Sequence, residues 1–379
     1  MSRTFIDFNV LQTVPPSNIN RDDTGSPKTA VYGGVRRARV SSQAWKRAAR
    51  LDFTTRLDRA ELGTRTKRVA ELLAEAIAAK KPDLAPERAL ELAALVFKEA
   101  GIKLTAPRKA KDDPTIAPEA GYLLFLSARQ IEKLADVALE AEASDDAAAA
   151  LKAAKVRTLL DVRHSVDISL FGRMVAEATD LNVDAAAQVA HALSIHPVEN
   201  EFDYFTAVDD HKNDDDAEDA GAGMIGTVEF NSSTLYRYAT VDVDALLRNL
   251  GDADATRRAV EAFAQSFIRS LPTGKQNTFA NRTLPHAVVI SVRDTQPVNL
   301  VGAFEEAVTG DHRLAEGARR LAEHARAIDD AYGTTPLTGW VVRVSDATAP
   351  LDALGARTGL DEAVAALGRS VADRLSETP

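Results

Sequence analysis

Residues 20–50, NRDDTGSPKTAVYGGVRRARVSSQAWKRAAR, form a strongly basic segment. Its acidic residues are Asp22 and Asp23, and its basic residues are Arg21, Lys28, Arg36, Arg37, Arg39, Lys46, Arg47 and Arg50. Gly33 and Gly34 are predicted to form a hinge that leads into an Arg-x-Arg edge, and Ser41 or Ser42 is placed to cap the helix that follows. Helix-start N–H groups, serine hydroxyls and guanidinium groups suit a sugar-phosphate backbone. The segment therefore predicts a phosphate-binding surface, with an ordinary basic surface loop as the alternative.

The rest of the chain is acidic, so the positive charge is concentrated near the N-terminus. The net charge of the 379 residues is −10. Residues 1–50 hold nine Lys and Arg against three Asp and Glu, a net charge of +6, which leaves −16 for the remainder. A protein with this asymmetry can bind a polyanion on one face while the other face keeps it in solution.

Composition excludes several classes of protein. The absence of cysteine rules out disulfides, thiolate zinc sites and cysteine nucleophiles. No apolar run approaches the roughly 18 residues of a membrane span, and residues 1–10 lack the apolar core of a signal peptide. A hydrophobic content of 45% with 27% charged residues is typical of a globular protein. We therefore expect a cytoplasmic protein with no membrane partner, built as one elaborated domain or two.

Hydrophobic spacing predicts an α+β fold around the basic segment. The predicted strands cover residues 4–11, 163–170, 227–230, 235–241, 286–293 and 339–345. The predicted helices cover residues 42–57, 183–193, 255–271 and 360–375, and residues 64–156 read as a helical insertion interrupted by a proline-containing loop at 106–118. Without insertions the order is strand, helix, strand, strand, helix, strand, which is the ferredoxin-like plan. That plan is widely used for RNA, although a fold alone does not decide function.

A second unusual stretch, residues 200–226, predicts a projecting loop. Phe202, Tyr204 and Phe205 precede seven carboxylates and three glycines. Because the acidic half cannot bury itself, we expect it to project from the fold with a flexible tip. The aromatic residues suit base stacking or contact with a partner.

Metal, cofactor and nucleotide-binding motifs are weak or absent. The seven histidines show no H-x-x-x-H spacing, so we expect no zinc site. The acidic loop around Asp209, Asp210 and His211 could hold a hard cation but lacks the EF-hand pattern, so a solvated loop is favoured. Gly274-Lys275 lacks the remainder of a P-loop, which leaves Lys275 as either a phosphate contact or a solvated lysine. Trp45 is predicted to lie in the core, with base stacking as the alternative.

Six stretches in order resemble a known family. They are NRDD at 20–23, YGGVRRARVSSQAWKR at 32–47, FGRM at 171–174, QVAHALSIHPVENEFDYFTAVDD at 188–210, GTVEFNSSTLYRYA at 226–239 and PTGKQNTFA at 272–280. Together they resemble the crRNA-lining backbone subunit of the type I-E CRISPR surveillance complex, Cascade. The resemblance extends from the N-terminus to about residue 305, whereas the helical insertion and the last segment are similar only in length and helical character.

The resemblance implies a hand-shaped α+β fold: a modified RRM-like or ferredoxin-like palm, helical fingers and an extended thumb loop. It assigns the first part of the palm, with the basic RNA-binding segment, to 1–56, the fingers to 57–156, more palm to 157–195, the thumb to 196–226, and the completion of the palm with the C-terminal helix to 227–379. Several copies would stack along one guide RNA, each thumb flipping out one nucleotide, so that target DNA pairs in short segments.

Residue by residue, the resemblance implies contacts to guide phosphates from Arg21, Lys28, Ser41, Gln43, Lys46 and Arg50. Met174 would be a wedge beside the displaced base, Phe205 would pack at the kink, and Lys275 would be a further RNA contact. No catalytic residue, metal or cofactor is implied. Two features depart from the expected pattern. Val35 stands where relatives can carry a basic residue, and the sheet lacks the aromatic string with which ordinary RRMs stack bases.

These observations predict a non-catalytic structural subunit whose partners are CRISPR guide RNA, target DNA paired to it, further copies of itself and other Cascade subunits. The protein would bind the RNA backbone while base pairing reads the sequence. An alternative is a metal-dependent RNA-cleaving subunit of a type III-like complex, with Asp209 or Asp210 as the catalytic residue. A third possibility is a stand-alone RRM-like regulator, which would bind short RNA as a monomer.

Overall fold

A computed structural model of the chain describes residues 3–107, 116–175, 178–207 and 224–377. The strands are β1 (Phe5–Ser17), β2 (Thr29–Tyr32), β3 (Val35–Val40), β4 (Gly63–Thr66), β5 (Leu104–Thr105), β6 (Glu119–Ala120), β7 (Leu124–Ser127), β8 (Ala187–Val189), β9 (Ala192–Ser194), β10 (Glu201–Ala207), β11 (Met224–Asp242), β12 (Ala287–Arg293), β13 (Thr338–Arg343) and β14 (Ala356–Arg357). The predicted α+β class is confirmed.

The α-helices are α1 (Ser42–Phe53), α2 (Val69–Lys80), α3 (Pro86–Glu99), α4 (Ala128–Glu142), α5 (Ala147–Ala153), α6 (Val156–Leu159), α7 (Val166–Phe171), α8 (Val243–Leu250), α9 (Ala253–Arg269), α10 (Gln276–Phe279), α11 (Arg313–Tyr332) and α12 (Leu360–Ser376). Short 3₁₀ helices occupy Arg59–Glu61, Thr179–Leu181, Leu300–Phe304 and Asp346–Leu354. None of the helices within the described ranges is both long and apolar enough to cross a membrane.

Contacts between residues divide the chain into two compact units. The first, the sheet unit, consists of residues 1–52, 188–242 and 260–379, and the second, the helical unit, of residues 53–187 and 243–259. The predicted helical insertion lies in the second unit, which also includes 157–187 and 243–259. Both units are therefore assembled from separated stretches of sequence.

The sheet unit is organised around β1, which has a neighbour on each side. The strand order is β14-β13-β12-β1-β11-β9-β3-β2, and β8 and β10 also pair with β11. Strand β1 runs antiparallel to both β11 and β12. The predicted order strand, helix, strand, strand, helix, strand is present as β1, α1, β9, β11, α9 and β12, but its second strand differs from the predicted one.

The prediction of a strand at 163–170 is wrong, because this segment contains α7. Val166, Ile168 and Leu170 alternate with polar residues and so imitate a strand, yet the polar positions are buried as well. Asp167 Oδ1 accepts hydrogen bonds from the Gly63 amide (3.0 Å) and the Ser165 hydroxyl (2.6 Å). Because the intervening polar residues are buried as well, the alternation does not distinguish a solvent-exposed face from a buried face.

The prediction of a helix at 183–193 is also wrong, since this stretch contains β8 and β9. Alanine favours helices by less than about 1 kcal/mol per residue, a preference that tertiary pairing readily overrides. Leu193 of β9 is registered with Arg39 on one side and Tyr236 on the other. Sheet neighbours distant in sequence therefore determine the structure of this stretch.

Two predicted strands are longer in the structure. Strand β1 continues to Ser17 through Pro15 and Pro16, with an irregularity in its pairing to β11 between Val14 and Ser17. Proline is tolerated at such a position because the regular ladder is already interrupted. The two strands predicted at 227–230 and 235–241 are parts of the single strand β11.

Helices cover both faces of the central strands. On one face Phe8 of β1 packs edge-to-face against Phe263 and Phe267 of α9, with ring centroids 5.5 and 6.1 Å apart. On the other face Leu11 of β1 shares a buried cluster with Leu321 of α11. Each face thus buries apolar side chains of β1 beneath a helix.

The face beneath α11 is closed to nucleotide bases. Tyr236 and Tyr238 of β11 are 2% and 6% exposed. The Tyr236 hydroxyl donates to Asn9 Oδ1 and the Tyr238 hydroxyl to Asp7 Oδ1, each at 2.7 Å. Because both rings are buried and both hydroxyls are bonded, base stacking on these rings is excluded. This agrees with the expectation that the sheet face does not stack bases.

The helical unit has its own apolar core. Leu73 and Ile77 of α2, Leu92 and Phe97 of α3 and Leu134 of α4 are buried in one cluster. Helix α4 begins with a capping box, in which the Ser127 hydroxyl accepts from the Gln130 amide and the Gln130 side chain accepts from the Ser127 amide. A separate core of this size suits an independently packed helical unit.

His196 makes the stability of the fold sensitive to acid. Its Nε2 accepts a hydrogen bond from the Thr234 amide (3.0 Å), which requires an unprotonated nitrogen. Burial, assisted by the nearby guanidinium of Arg313, lowers the pKa of His196 below its ordinary value of 6.5. The unfolded chain therefore binds more protons than the folded chain below pH 6.5, so the stability present above that pH is lost as the pH falls.

We expect the free energy of unfolding to fall by about 1 kcal/mol or more between neutral pH and about pH 5.5. Urea denaturation at a series of pH values measures the fall. His196→Gln should lower stability at neutral pH and reduce the pH dependence, because the titrating group is gone. His312→Gln, at an exposed histidine, is the matched control. An unchanged pH dependence in His196→Gln would contradict this assignment.

Candidate nucleic-acid interface

Residues 29–40 form a β-hairpin that carries the Arg-x-Arg edge. Tyr32 pairs with Val35, which leaves Gly33 and Gly34 as a two-residue turn. Their φ angles are +58° and +77°. A two-residue hairpin turn with positive φ at both positions favours glycine, so the pair predicted from sequence as a hinge is a tight turn.

The NRDD stretch is a loop stabilised from inside by its own aspartate. Asp22 Oδ1 accepts from the amides of Thr24 and Ser26, each at 3.0 Å, and from the Thr24 hydroxyl (2.7 Å). The Thr24 hydroxyl, together with backbone amides, holds the pKa of Asp22 below its ordinary value. The Asp22 carboxylate is thus engaged within the loop, whereas the Arg21 side chain is exposed.

Asn20 connects this loop to the start of α1. Its side-chain oxygen accepts from the Ser41 amide (2.8 Å), and its backbone oxygen accepts from the Lys28 amide (2.9 Å). Ser41 itself is buried, and its hydroxyl accepts from the Ala44 amide (3.3 Å) as a helix cap. Ser41 therefore caps the helix as predicted, and its hydroxyl already accepts a hydrogen bond from the backbone.

Helix α1 carries predicted RNA contacts on both sides of the buried residue Trp45 in sequence. Gln43 is exposed, and Lys46 and Arg50 are half-buried one helical turn apart. Burial lowers the pKa of the Lys46 ammonium group. An anion in contact with the ammonium group would raise this pKa. Between these positions Trp45 is 1% exposed, which confirms its predicted place in the core.

Arg237 of β11 holds Trp45 in place, a contact that the sequence did not suggest. Its guanidinium carbon lies 3.8 Å from the centroid of the Trp45 ring and 4.6 Å from that of Phe267. The guanidinium donates to Gln12 Oε1 (2.5 Å) and to the Phe267 carbonyl oxygen. Burial lowers the pKa of Arg237. The stack ties α1 to the central strand and to α9, and so orients the helix that carries Lys46.

The PTGK stretch approaches the NRDD loop closely at Gly274. A Cβ placed on Gly274 would lie 2.6 Å from the Ile19 carbonyl carbon and 2.7 Å from the Asn18 oxygen. The next residue, Lys275, has a φ of +45° and precedes the short helix α10. Backbone contact at Gly274 therefore brings Lys275 into the neighbourhood of the loop that carries Arg21.

We expect Gly274→Ala to weaken RNA binding by about tenfold or more, because the added methyl group must push the two loops apart. Gly121→Ala, where a Cβ meets nothing within 4 Å, is the control. Equilibrium binding to a single-stranded RNA, with circular dichroism to confirm folding, measures the effect. Equal affinities for the two variants would show that the spacing of the loops is unimportant.

Arg37 is not part of the exposed cationic surface, contrary to its place in the predicted basic run. It is completely buried, and its guanidinium donates to carbonyl oxygens of Ser194 (2.9 Å) and Phe304 (2.9 Å), among others. Alternation along β3 turns Arg37 inward and leaves Arg36 exposed. Arg37 therefore has a structural role. Val35, the position that lacks a basic residue, is half-buried beside the turn.

Phe205 lies on a two-stranded ribbon made by β10 and the first part of β11. It pairs with Gly226, where a Cβ would collide with the Phe205 ring. Phe202, Tyr204 and Ile225 of the ribbon are 60–66% exposed. Exposed apolar side chains at these positions suit a partner surface. The predicted acidic tip, including Asp209, Asp210 and His211, lies outside the described residues.

The FGRM stretch, in the helical unit, has an anchored arginine and an exposed methionine. Gly172 has a φ of +79° and ends α7. Arg173 is buried and donates to carbonyl oxygens of Leu181 (2.7 Å) and Leu160 (2.8 Å). Met174 follows with 83% of its surface exposed. Met174 is therefore an exposed apolar side chain next to an anchored residue.

The predicted RNA contacts lie mostly in the sheet unit. Arg21, Lys28, Ser41, Gln43, Lys46, Arg50 and Lys275 all belong to the sheet unit, and Met174 belongs to the helical unit. Over the described ranges no group of three or more His, Asp or Glu side chains is placed to hold a metal ion. The site is therefore a surface of cationic and amide groups, which suits an anionic polymer.

Comparison with protein families gives a match that covers nearly the whole chain. The profile of the Cas_CT1975 family, described as CT1975-like protein, matches residues 6–366. The chain belongs to the Cas_CT1975 family. Comparison with curated proteins gave no match.

Two solved structures are similar to this Cas_CT1975 chain over nearly its full length. One is a chain of a "CRISPR RNA-guided surveillance complex, pre-nicking", with a TM-score of 0.83, 36% identity, and coverage of 96% of this chain and 99% of that one. The other is a chain of a "CRISPR RNA-guided surveillance complex", with a TM-score of 0.73, 30% identity, and coverage of 97% and 99%. The Cas_CT1975 fold described above is thus that of a surveillance-complex chain.

Proposed function

We propose that this chain is a non-catalytic structural subunit of a type I-E CRISPR Cascade complex, which polymerises along guide RNA and holds it for pairing with target DNA. The observation that supports this most directly is the assembly of three separated segments into one cationic surface. The NRDD loop, α1 and the PTGK stretch are linked through Asn20 and the close approach at Gly274. Similarity to chains of CRISPR RNA-guided surveillance complexes supports a role associated with crRNA.

The chemistry of this surface favours recognition of the RNA backbone over recognition of bases. Lys46, Arg50 and Lys275 are point charges or forks suited to phosphate oxygens. The tyrosines that face α11 are buried and cannot stack on a base. Sequence is then read by pairing between guide and target, while the protein contributes shape and charge.

Two exposed apolar features suit the proposed kinking of the guide. Met174 is 83% exposed next to the anchored Arg173, and Phe205 is 38% exposed on the β10–β11 ribbon. Apolar side chains of this kind can separate stacked bases at a cost of a few kcal/mol per step. We propose that they contact the nucleotide displaced at each kink.

Polymerisation is tested by the ratio of protein to RNA. Sedimentation of the purified subunit with synthetic RNAs of graded length should give complexes whose number of copies rises in proportion to RNA length. A single copy bound at every length would favour the stand-alone RRM-like regulator and would overturn the proposed filament.

The non-catalytic assignment is tested by incubating the assembled complex with guide-matched RNA and magnesium. We expect the RNA to remain intact. Cleavage at regular spacing that is abolished in Asp209→Asn would overturn the proposal in favour of the metal-dependent, type III-like alternative.

A further inference from the structure

A group of three basic side chains lies at the junction of the hairpin and β9. Arg39 of β3 directs its Nη1 toward His191 Nδ1 at 3.4 Å, while its Nε donates to the Thr29 carbonyl oxygen (3.1 Å). The Arg39 amide donates to the Lys28 carbonyl oxygen (2.9 Å), which ties the Lys28 backbone to the same place. His191 sits in the two-residue connection between β8 and β9 and is exposed.

The charges that act on His191 are positive. Burial first, and then the positive charges of Arg39 and Lys28, lower the pKa of His191. No acidic side chain of the described residues contributes to that shift, and none forms an ion pair with Lys28 or Arg39. Basic groups placed together without a counter-charge repel one another, and an anion between them removes the repulsion.

The neighbouring surface has mixed polarity. A small hollow beside Lys28 and Arg39 is lined by polar residues such as Ser17, Asn20 and Asn231 and by apolar residues such as Val14. Asn20 is the residue that connects the NRDD loop to α1 through the Ser41 amide. The three basic residues therefore lie next to the proposed phosphate surface and extend it across β3 to the β8–β9 connection.

We propose that Lys28, Arg39 and His191 together bind one phosphodiester group of the RNA, with His191 acting as a third cation when the phosphate is present. This inference rests on the proposed function, and it adds Arg39 and His191 to the residues that contact the guide. In the free protein His191 Nδ1 faces the Arg39 guanidinium and must be an acceptor. A phosphate oxygen between the two allows both to donate.

Proton uptake follows from this arrangement. His191 is neutral near physiological pH in the free protein and gains a stabilising partner for its charged form in the complex. Each unit by which the phosphate raises the pKa of His191 corresponds to about a tenfold gain in affinity once the pH is low enough. RNA affinity should therefore rise as the pH falls.

The test is filter binding of end-labelled oligouridylate, whose bases carry no charge in this range, at constant ionic strength between about pH 8 and about pH 6. We expect the wild-type Kd to fall by about fivefold or more across this range. His191→Asn should lose most of this change, and His191→Lys should bind tightly with little dependence on pH. His312→Asn, at an exposed histidine outside the group, should behave as the wild type.

The same experiment separates an error in the phosphate site from an error in the proposed function. If the wild type binds RNA but His191→Asn keeps the same pH dependence, the phosphate site at His191 is wrong and the proposed function stands. If the wild type does not bind RNA at either pH, both are wrong. Circular dichroism at each pH ensures that differences reflect binding by folded protein.

Discussion

Gly33→Ala is expected to destabilise the chain by about 3 kcal/mol or more, whereas Gly34→Ala should cost about 1 kcal/mol. Both glycines have a positive φ, so both substitutions carry the same type of backbone strain. Only Gly33 also faces another part of the chain, because a Cβ there collides with the carbonyl group of Glu305, lying 2.7 Å from its carbon. The open space at Gly34 makes it a matched control.

Urea denaturation of the two variants measures the difference, and a crystal structure of Gly33→Ala should show the turn displaced from Glu305. The same movement should disturb Arg37, whose guanidinium donates to the Glu305 carbonyl oxygen at 3.1 Å. Equal stability of the two variants would show that the hairpin turn does not pack tightly against Glu305.

The double substitution of Lys46→Ala with Arg50→Ala is expected to weaken RNA binding by about a hundredfold at moderate salt. A charge-assisted hydrogen bond contributes about 1.5–3 kcal/mol, and two are removed. The decrease should be similar for all guide sequences, because phosphate contacts carry no sequence information. The slope of log affinity against log salt should become shallower by about 0.7 for each phosphate that the variant no longer neutralises.

Arg47→Ala is the matched control, since Arg47 is an exposed cation of the same helix that is not among the predicted phosphate contacts. It should change affinity much less than the double substitution. A decrease confined to one guide sequence would indicate base recognition by α1, and an unchanged salt dependence would remove Lys46 and Arg50 from the phosphate surface.

The local features of the interface were predictable from sequence because they depend on short-range rules. A serine before an amphipathic stretch begins a helix, and a tryptophan among alanines packs into the core. The paired glycines, predicted as a hinge, instead form a tight turn. The exposure of Met174 and of the aromatics around Phe205 also agrees with their sequence context. What sequence reasoning missed was which basic residues point outward.

Arg37 and Arg237 show why. Both are completely buried, and their guanidinium groups bond to carbonyl and amide oxygens from distant parts of the chain. An arginine can lie on the buried face of a strand as well as on the exposed face. Alternation of basic and apolar residues therefore does not show which face is buried.

The errors in the fold have a similar origin. A helix was predicted where the structure has the strand at 192–194, and a strand was predicted where it has the helix at 166–171. In both places long-range pairing and burial overrode local periodicity. Helix α11, which covers the sheet beneath Tyr236 and Tyr238, was not identified, although its 20 residues form an amphipathic pattern. We expected this sheet face not to stack bases because the sequence lacks the aromatic string of ordinary RRMs. In the structure the reason is different, since α11 covers the face.

Binding along guide RNA is tested most directly by the size of the RNA that accompanies the protein. The chain is purified at low salt from cells that carry its complex, the bound material is treated with nuclease, and the protected RNA is separated by length. We expect one discrete species of guide length, protected along its whole backbone. Absence of RNA, or a continuous range of random fragments, would contradict it.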